Sequence, residues 1–247
     1  MKSKIFFLVL SLTLAIGVYS RDSVKANPSA PAPTAGSALI KGVVKFSGTA
    51  PESKPISMSA DPSCAAQHRG PVRTKEVIAD PKGGLQNVVV FIADGLGDRT
   101  FDIPKESVVI AQKGCLYEPH VIAMRANQQL EVVNSDPTAH NIHPTPANNR
   151  EWNKVELPGS KMEEAFPREE ISIPVKCNIH PWMRGYIAVF KHPYFVVTKE
   201  DGSFDLPNLP PGTYTVEAWH EKLGISSQTI TIGANEKKEL NFVFKSM

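Results

Sequence analysis

Cysteine is scarce in this chain: Cys64, Cys115 and Cys177 are the three among 247 residues. An odd number leaves one thiol over after any pairing. Long apolar runs are scarcer still, because the stretch from Ile5 to Val18 stops well short of the roughly 20 residues that a helix needs to cross a bilayer. Charge of one sign is not in excess either. Lys and Arg number 27 against 25 Asp and Glu, a formal net charge of +2. That balance excludes the basic footprint of a nucleic-acid binder and an extended polybasic membrane patch. Missing too are the H-E-x-x-H motif of zinc proteases, the G-x-S-x-G elbow and a Gly-rich phosphate loop. The commonest signatures of hydrolases and nucleotide-dependent enzymes are therefore absent.

What is present begins with Lys2 and Lys4 ahead of the short apolar run, the pattern of a cleaved secretory signal peptide over residues 1–26. Val24-Lys-Ala26 or Val18-Tyr-Ser20 offers the cleavage site, and no Cys follows the run to carry a lipid anchor. Losing Lys2, Lys4, Arg21, Lys25 and Asp22 takes the formal charge from +2 to −1. Residues 27–37 are rich in Pro, Ala and Ser and read as a flexible leader. Export to a periplasm or beyond is the expectation.

From Ala38 on, helix-length periodicity is rare, Pro and Gly are frequent, and short alternating runs dominate, which predicts an all-β chain of sandwich type. Leu39 to Phe46 and Val88 to Ile92 are expected strands, the second continuous enough to be buried on both faces. Residues 50–84 between them are irregular. Ile171, Ile173 and Val175 alternate with Ser172, Pro174 and Lys176, and the row ends on Cys177; Gly185 to Phe190 makes the next strand.

The connection between those two strands is Cys177-Asn-Ile-His180-Pro-Trp-Met183, a thiolate, an imidazole and a thioether at three-residue intervals. Such soft donors suit copper, and a trigonal set of one Cys and two His with a weak axial Met makes an electron-transfer site. The second imidazole must come from elsewhere. After the expected strand Leu130 to Val133, the run Asn134-Ser-Asp136-Pro-Thr-Ala-His140-Asn141 supplies it, with His143 close behind as the competing ligand.

These residues resemble the cupredoxin family, over roughly residues 105–191. The strand, Asn134, Asp136 and His140-Asn141 match the family's upstream element, and the C-x-x-H-x-x-M spacing is similar to amicyanin more than to plastocyanin. The resemblance implies a Greek-key sandwich holding one type 1 copper on His140, Cys177, His180 and Met183. Asn134, Asn141 and Pro181 would support the ligand loops. It also implies that His180 lies near an exposed apolar patch that serves as the electron port. Four protein ligands leave no position open for substrate, so the implied role is not that of an enzyme. The partner would be a redox protein such as a c-type cytochrome or a dehydrogenase.

With Cys177 on the metal, Cys64 and Cys115 remain as a disulfide pair or as two separate buried thiols. His120, His192 and His220 read as hydrogen-bonded surface or interface residues. Farther on, Thr198-x-x-Asp-Gly-x-Phe204 and Leu209-Pro-Pro-Gly-Thr-Tyr214 resemble the carboxypeptidase regulatory-like (transthyretin-like) sandwich, with Asp201-Gly202 a hairpin signal. That family's opening strands are matched by Gly42-Val-Val44 and Val88 to Ile92, at the other end of the chain. The expected layout is one such sandwich split into residues 38–104 and 192–247 by an inserted domain at 105–191. The competing layout is an extended inner domain followed by a separate small sandwich.

Overall fold

Period-two alternation commits the chain to strands, and the computed structural model, which describes residues 35–245, contains 17 of them and one four-residue helix. The expected signal peptide at 1–26 and the leader as far as residue 34 lie outside the described residues. In chain order the elements open with β1 (Ala38–Ser47), α1 (Pro62–Ala65), β2 (Val89–Asp94), β3 (Val108–Gln112) and β4 (Tyr117–Glu118). There follow β5 (Val121–Arg125), β6 (Leu130–Asn134), β7 (His140–Pro144), β8 (Lys154–Glu156), β9 (Lys161–Glu164), β10 (Glu170–Lys176) and β11 (Arg184–Phe190). The rest are β12 (Phe195–Val197), β13 (Ser203–Leu209), β14 (Gly212–His220), β15 (Gly224–Ile232), β16 (Lys237–Glu239) and β17 (Phe242–Lys245). The protein is all-β. Among the described residues no helix is long and apolar enough to cross a membrane.

Four sheets form two sandwiches. In the outer one, β1 pairs with β13, β16 and β17, and faces a sheet of order β12-β2-β14-β15. In the inner one, a sheet of order β5-β11-β10-β7-β8 faces β4-β3-β6-β9. The outer core is built from Ile40, Val44, Phe204, Tyr214 and their neighbours, and the inner core from Ile110, Leu130, Ile173, Ile187 and theirs. A third cluster, Val89, Phe91, Val121, Ala123, Ala188, Phe190, Phe195 and Trp219, joins the two sandwiches back to back.

That stacking explains the continuous apolar runs. In β2, Val90 and Ile92 enter the outer core while Val89 and Phe91 face the inner sandwich. In β11, Ile187 and Val189 enter the inner core while Ala188 and Phe190 face outward to the junction. Each run is two alternating faces, both buried.

Two local readings change in three dimensions. Asp201-Gly202 does turn the chain, with Gly202 at φ +74 and Lys199 N–H donating to Ser203 O at 3.0 Å. The flanking strands do not form a ladder with each other, however: β12 pairs with β2, and β13 with β1. The turn is a crossing between sheets, and tertiary pairing overrides the local hairpin signal. The second change concerns residues 56–72. Ile56, Met58, Cys64 and Val72, although they precede β2 in the chain, pack on the inner core. The glycine of Gly42-Val-Val44 has a steric reason, since a Cβ there would lie 1.7 Å from Leu240 O.

Candidate metal centre

β7 and the loop after β10 meet at one end of the inner sandwich because β10 pairs with both β7 and β11. Alternation along β7 buries His140 completely and leaves His143 turned outward, where it contacts Glu151 at 2.6 Å and Asn178 at 3.2 Å. Alternation along β10 buries Cys177, at 3% exposure. The following loop is a turn closed by Met183 N–H on His180 O at 2.9 Å, with Pro181 in the corner position that its fixed φ suits. Cys177 N–H donates to Met183 O at 3.1 Å, and Met183 is fully buried in the same apolar cluster as Cys177.

His140, Cys177 and His180 converge. One nitrogen from each imidazole and the thiolate sulfur lie within 4.8 Å of one another, and all three residues are buried. The two Nδ1 atoms face each other at 2.9 Å, and Cys177 Sγ is 3.9 Å from His180 Nδ1. The opposite ring nitrogens are both engaged by carboxylates. His140 Nε2 meets Asp136 Oδ2 at 2.8 Å, and His180 Nε2 meets Asp61 Oδ2 at 2.9 Å. If each Nε2 donates to its carboxylate, two Nδ1 lone pairs point at each other in a dry pocket, beside a sulfur. Such a cluster is satisfied either by one shared proton or by a metal cation, and its N and S donors are of the kind that suits copper.

The electrostatics follow the same pattern. Burial lowers the His140 pKa, but hydrogen bonds and charge from Asp136 and Cys177 outweigh it and raise the value to about 9. Burial raises the Cys177 thiol, yet contacts from His140, Asn141 and the amides of the loop hold it below its ordinary value. Asp136 is likewise raised by burial and lowered more strongly by His140 and by the Cys115 and Gly114 amides, at 2.7 and 2.6 Å.

The residues expected to support the ligands surround this cluster. Asn141 Oδ1 accepts the Asn178 amide at 2.6 Å and lies 3.3 Å from Cys177 Sγ. Asn134 closes its own loop, its Oδ1 accepting Asp136 N–H at 2.9 Å and its Nδ2 donating to Thr138 O at 2.9 Å and Glu156 O at 3.0 Å. His180 N–H approaches Cys177 Sγ at 3.3 Å.

Cys64 and Cys115 form a disulfide. The other two metal-like groupings, Asp61 with Cys64 and His180, and Cys115 with Asp136 and His140, each contain one of these bonded sulfurs and so offer no thiolate. His180 itself is 2% exposed, because the segment bearing Asp61, α1 and Cys64 covers it, while its neighbour Ile179 is 48% exposed. Trp182 adds to the cover, its ring centroid 5.1 Å from that of His180 and its Nε1–H donating to Cys115 O at 3.1 Å.

Elsewhere, His120 is paired with Glu221, and His192 Nδ1 accepts Tyr194 N–H at 3.2 Å. His220 Nδ1 accepts Lys222 N–H at 3.1 Å. Asp61 was the functional candidate that sequence reasoning missed; its N-cap position ahead of Pro62 was the sole signal, and that signal concerns the helix rather than the imidazole.

Comparison with known proteins gives partial likenesses. Residues 190–240 match the family model described as polysaccharide lyase family 4, domain II, a different family from the regulatory-like one expected there. No curated protein matches the chain. Among solved structures, a Cu-containing nitrite reductase from Thermus scotoductus SA-01 is 18% identical with a TM-score of 0.33, over 40% of this chain and 25% of the reductase. A purple cupredoxin from Nitrosopumilus maritimus is 22% identical with a TM-score of 0.29, over 33% of this chain and 97% of that protein. A Cu(I) amicyanin mutant is 16% identical with a TM-score of 0.31, over 40% and 97%. The chain thus spans a quarter of the reductase's length and nearly all of the two smaller proteins.

Proposed function

We propose that this chain is an exported, mononuclear type 1 copper protein that passes single electrons between redox proteins. The observation that carries the reading is the convergence of His140 Nδ1, His180 Nδ1 and Cys177 Sγ in a buried pocket with both Nε2 atoms held from behind. His140, Cys177 and His180 would hold the metal, with Met183, buried beside Cys177, as the fourth donor. Copper when bound would supply one-electron chemistry between its two oxidation states.

The chain's own contribution is rigidity and dryness. Asn134 shapes the loop that presents His140, Asn141 ties that strand to the Cys177 loop, and Pro181 fixes the turn to Met183. A site that cannot rearrange costs little reorganisation when charge changes. Burial of every ligand favours keeping a metal over exchanging it, which sets electron transfer above a copper carrier or sensor. The outer strands, in which residues before 95 pair with residues after 194, support the layout of one split sandwich around an inserted cupredoxin. The leading residues support a periplasmic or secreted location, and the partner would be a c-type cytochrome or a dehydrogenase.

The test is a copper titration of the protein followed by visible absorption and EPR, with Cys177→Ser as control. An intense thiolate-to-copper band with narrow parallel hyperfine splitting, lost in the variant, is expected. A colourless protein, or a spectrum indifferent to Cys177, would refute the reading and leave a surface interaction protein in its place.

A further inference from the structure

Asp61 lies 119 residues before His180, on a segment that contributes no strand to the inner sandwich. Its two carboxylate oxygens have different neighbours. Oδ1 accepts Ser63 N–H at 2.8 Å, Ser63 Oγ–H at 2.6 Å and Cys64 N–H at 3.4 Å, which caps α1. Oδ2 is turned the other way, 2.9 Å from His180 Nε2 and 3.3 Å from Thr138 Oγ1. A cap needs one oxygen, and Ser or Asn serves as well as Asp. The second oxygen, set against the far nitrogen of a candidate ligand, is not explained by capping.

The arrangement is doubled. Asp136 holds His140 Nε2 at 2.8 Å, and its carboxylate is fixed in turn by the amides of Gly114 and Cys115. The Cys64–Cys115 disulfide joins the segment that bears Asp61 to the loop that fixes Asp136. Both imidazoles are therefore backed by a carboxylate, with the two supports bonded to each other. A carboxylate behind an imidazole fixes the tautomer and ring orientation and raises ligand basicity. Two negative charges behind the ligands also favour the more positive oxidation state of whatever metal sits in front.

We propose that Asp61 is a positioning residue that holds His180 as its Nε2–H tautomer and, together with Asp136, biases the centre toward the divalent state of its metal. The positioning half stands on the geometry alone; the oxidation-state half rests on the copper reading. Asp61 also closes the ring edge of His180 to a docking partner, so the same contact that tunes the ligand seals it from solvent.

The test compares Asp61→Ser, which keeps a capping oxygen but cannot reach His180, with Ser63→Ala, which weakens the cap and leaves the carboxylate in place. In metal-free protein, long-range proton–nitrogen NMR shows which ring nitrogen of His180 carries hydrogen. Nε2–H in the wild type and in Ser63→Ala, disturbed in Asp61→Ser, is expected; an identical His180 signature in Asp61→Ser overturns the positioning role. In copper-loaded protein, redox titration is expected to give a higher reduction potential for Asp61→Ser, with the colour kept, and no change for Ser63→Ala. Equal potentials in the wild type and Asp61→Ser overturn the charge role. A wild-type protein that takes up no copper removes the proposed function and the oxidation-state half together, while the NMR result still decides what Asp61 does to His180.

Discussion

Asn141 Oδ1 sits 3.3 Å from Cys177 Sγ while accepting the Asn178 amide at 2.6 Å, so one side-chain oxygen ties β7 to the loop that follows β10. The same side chain donates from Nδ2 to Asn153 Oδ1 at 2.6 Å. Asn141→Ala leaves the Asn178 N–H without its acceptor in a part-buried place. The expected cost is about 2 kcal/mol in denaturant unfolding, from lost hydrogen bonds and an unsatisfied donor. Copper retention should fall as well, because the two ligand-bearing segments lose their common tie.

The disulfide closes a loop with a sequence separation of 51. Removing it as the Cys64→Ser, Cys115→Ser pair returns chain entropy to the unfolded state, a loss of about 4 kcal/mol on the loop-closure relation. A denaturant midpoint measured with and without reductant checks the figure, since the wild type under reduction should approach the double variant. The loss should be accompanied by greater solvent access to His180, read by hydrogen exchange of its amide, because the covering segment is held down at Cys64.

How much of this was legible in the sequence depends on distance along the chain. The alternation ending on Cys177 and the three-residue spacing to His180 and Met183 are local, and local sterics preserve them in the fold. His140 over His143 was readable from period two once β7 was placed, since alternate residues face opposite ways. The cover over His180 was not readable. It depends on Ile56, Met58 and Val72, too sparse to show a period, packing against a core formed by residues more than 35 positions away. Asp201-Gly202 shows the converse: the turn is encoded locally, but which sheets its strands join is decided by β1 and β2.

Acid should weaken the fold through buried imidazoles. His220 is 1% exposed, and burial, followed by the charges of His120 and Lys222, holds its pKa down at about 4 against an ordinary 6.5. His192 is held at about 4 by burial and by Arg125. A base whose folded pKa is depressed contributes stability that is complete above the unfolded value and is lost as pH falls through the folded one. The window is therefore pH 6.5 down to 4, with a loss on the order of 3 kcal/mol for each group. Glu156 works in the opposite sense. Burial raises it from 4.5 to about 7, so its contribution is present below 4.5 and is lost as pH rises through 7. Two imidazoles outweigh one carboxyl, so the net slope between pH 4.5 and 6.5 should still be loss on acidification. Stability measured against pH should show that slope reduced in His220→Phe. Glu156→Gln should instead steepen the rise in stability between pH 4.5 and 6.5, because the contribution that opposes the two imidazoles is gone.

Arg125 grips both passages of the chain between the sandwiches. Its guanidinium donates to Phe101 O at 3.2 Å and Asp102 O at 3.0 Å on the way in, and to Lys191 O at 2.7 Å on the way out. It also stands 5.8 Å from the Phe101 ring centroid, and it is 3% exposed. Arg125→Met fills a similar space with no donors, leaving three carbonyls to find water at a junction otherwise sealed by Phe91, Phe190 and Phe195. The expected loss is about 3 kcal/mol, the scale of a buried charged donor removed from its acceptors. Because the crossings are the covalent route between the two cores, weakening them should also loosen their cooperation. Calorimetry is expected to change from one unfolding transition to a broadened or split one. A single sharp transition at an unchanged temperature would mean that the apolar cluster around Phe190 alone holds the sandwiches together.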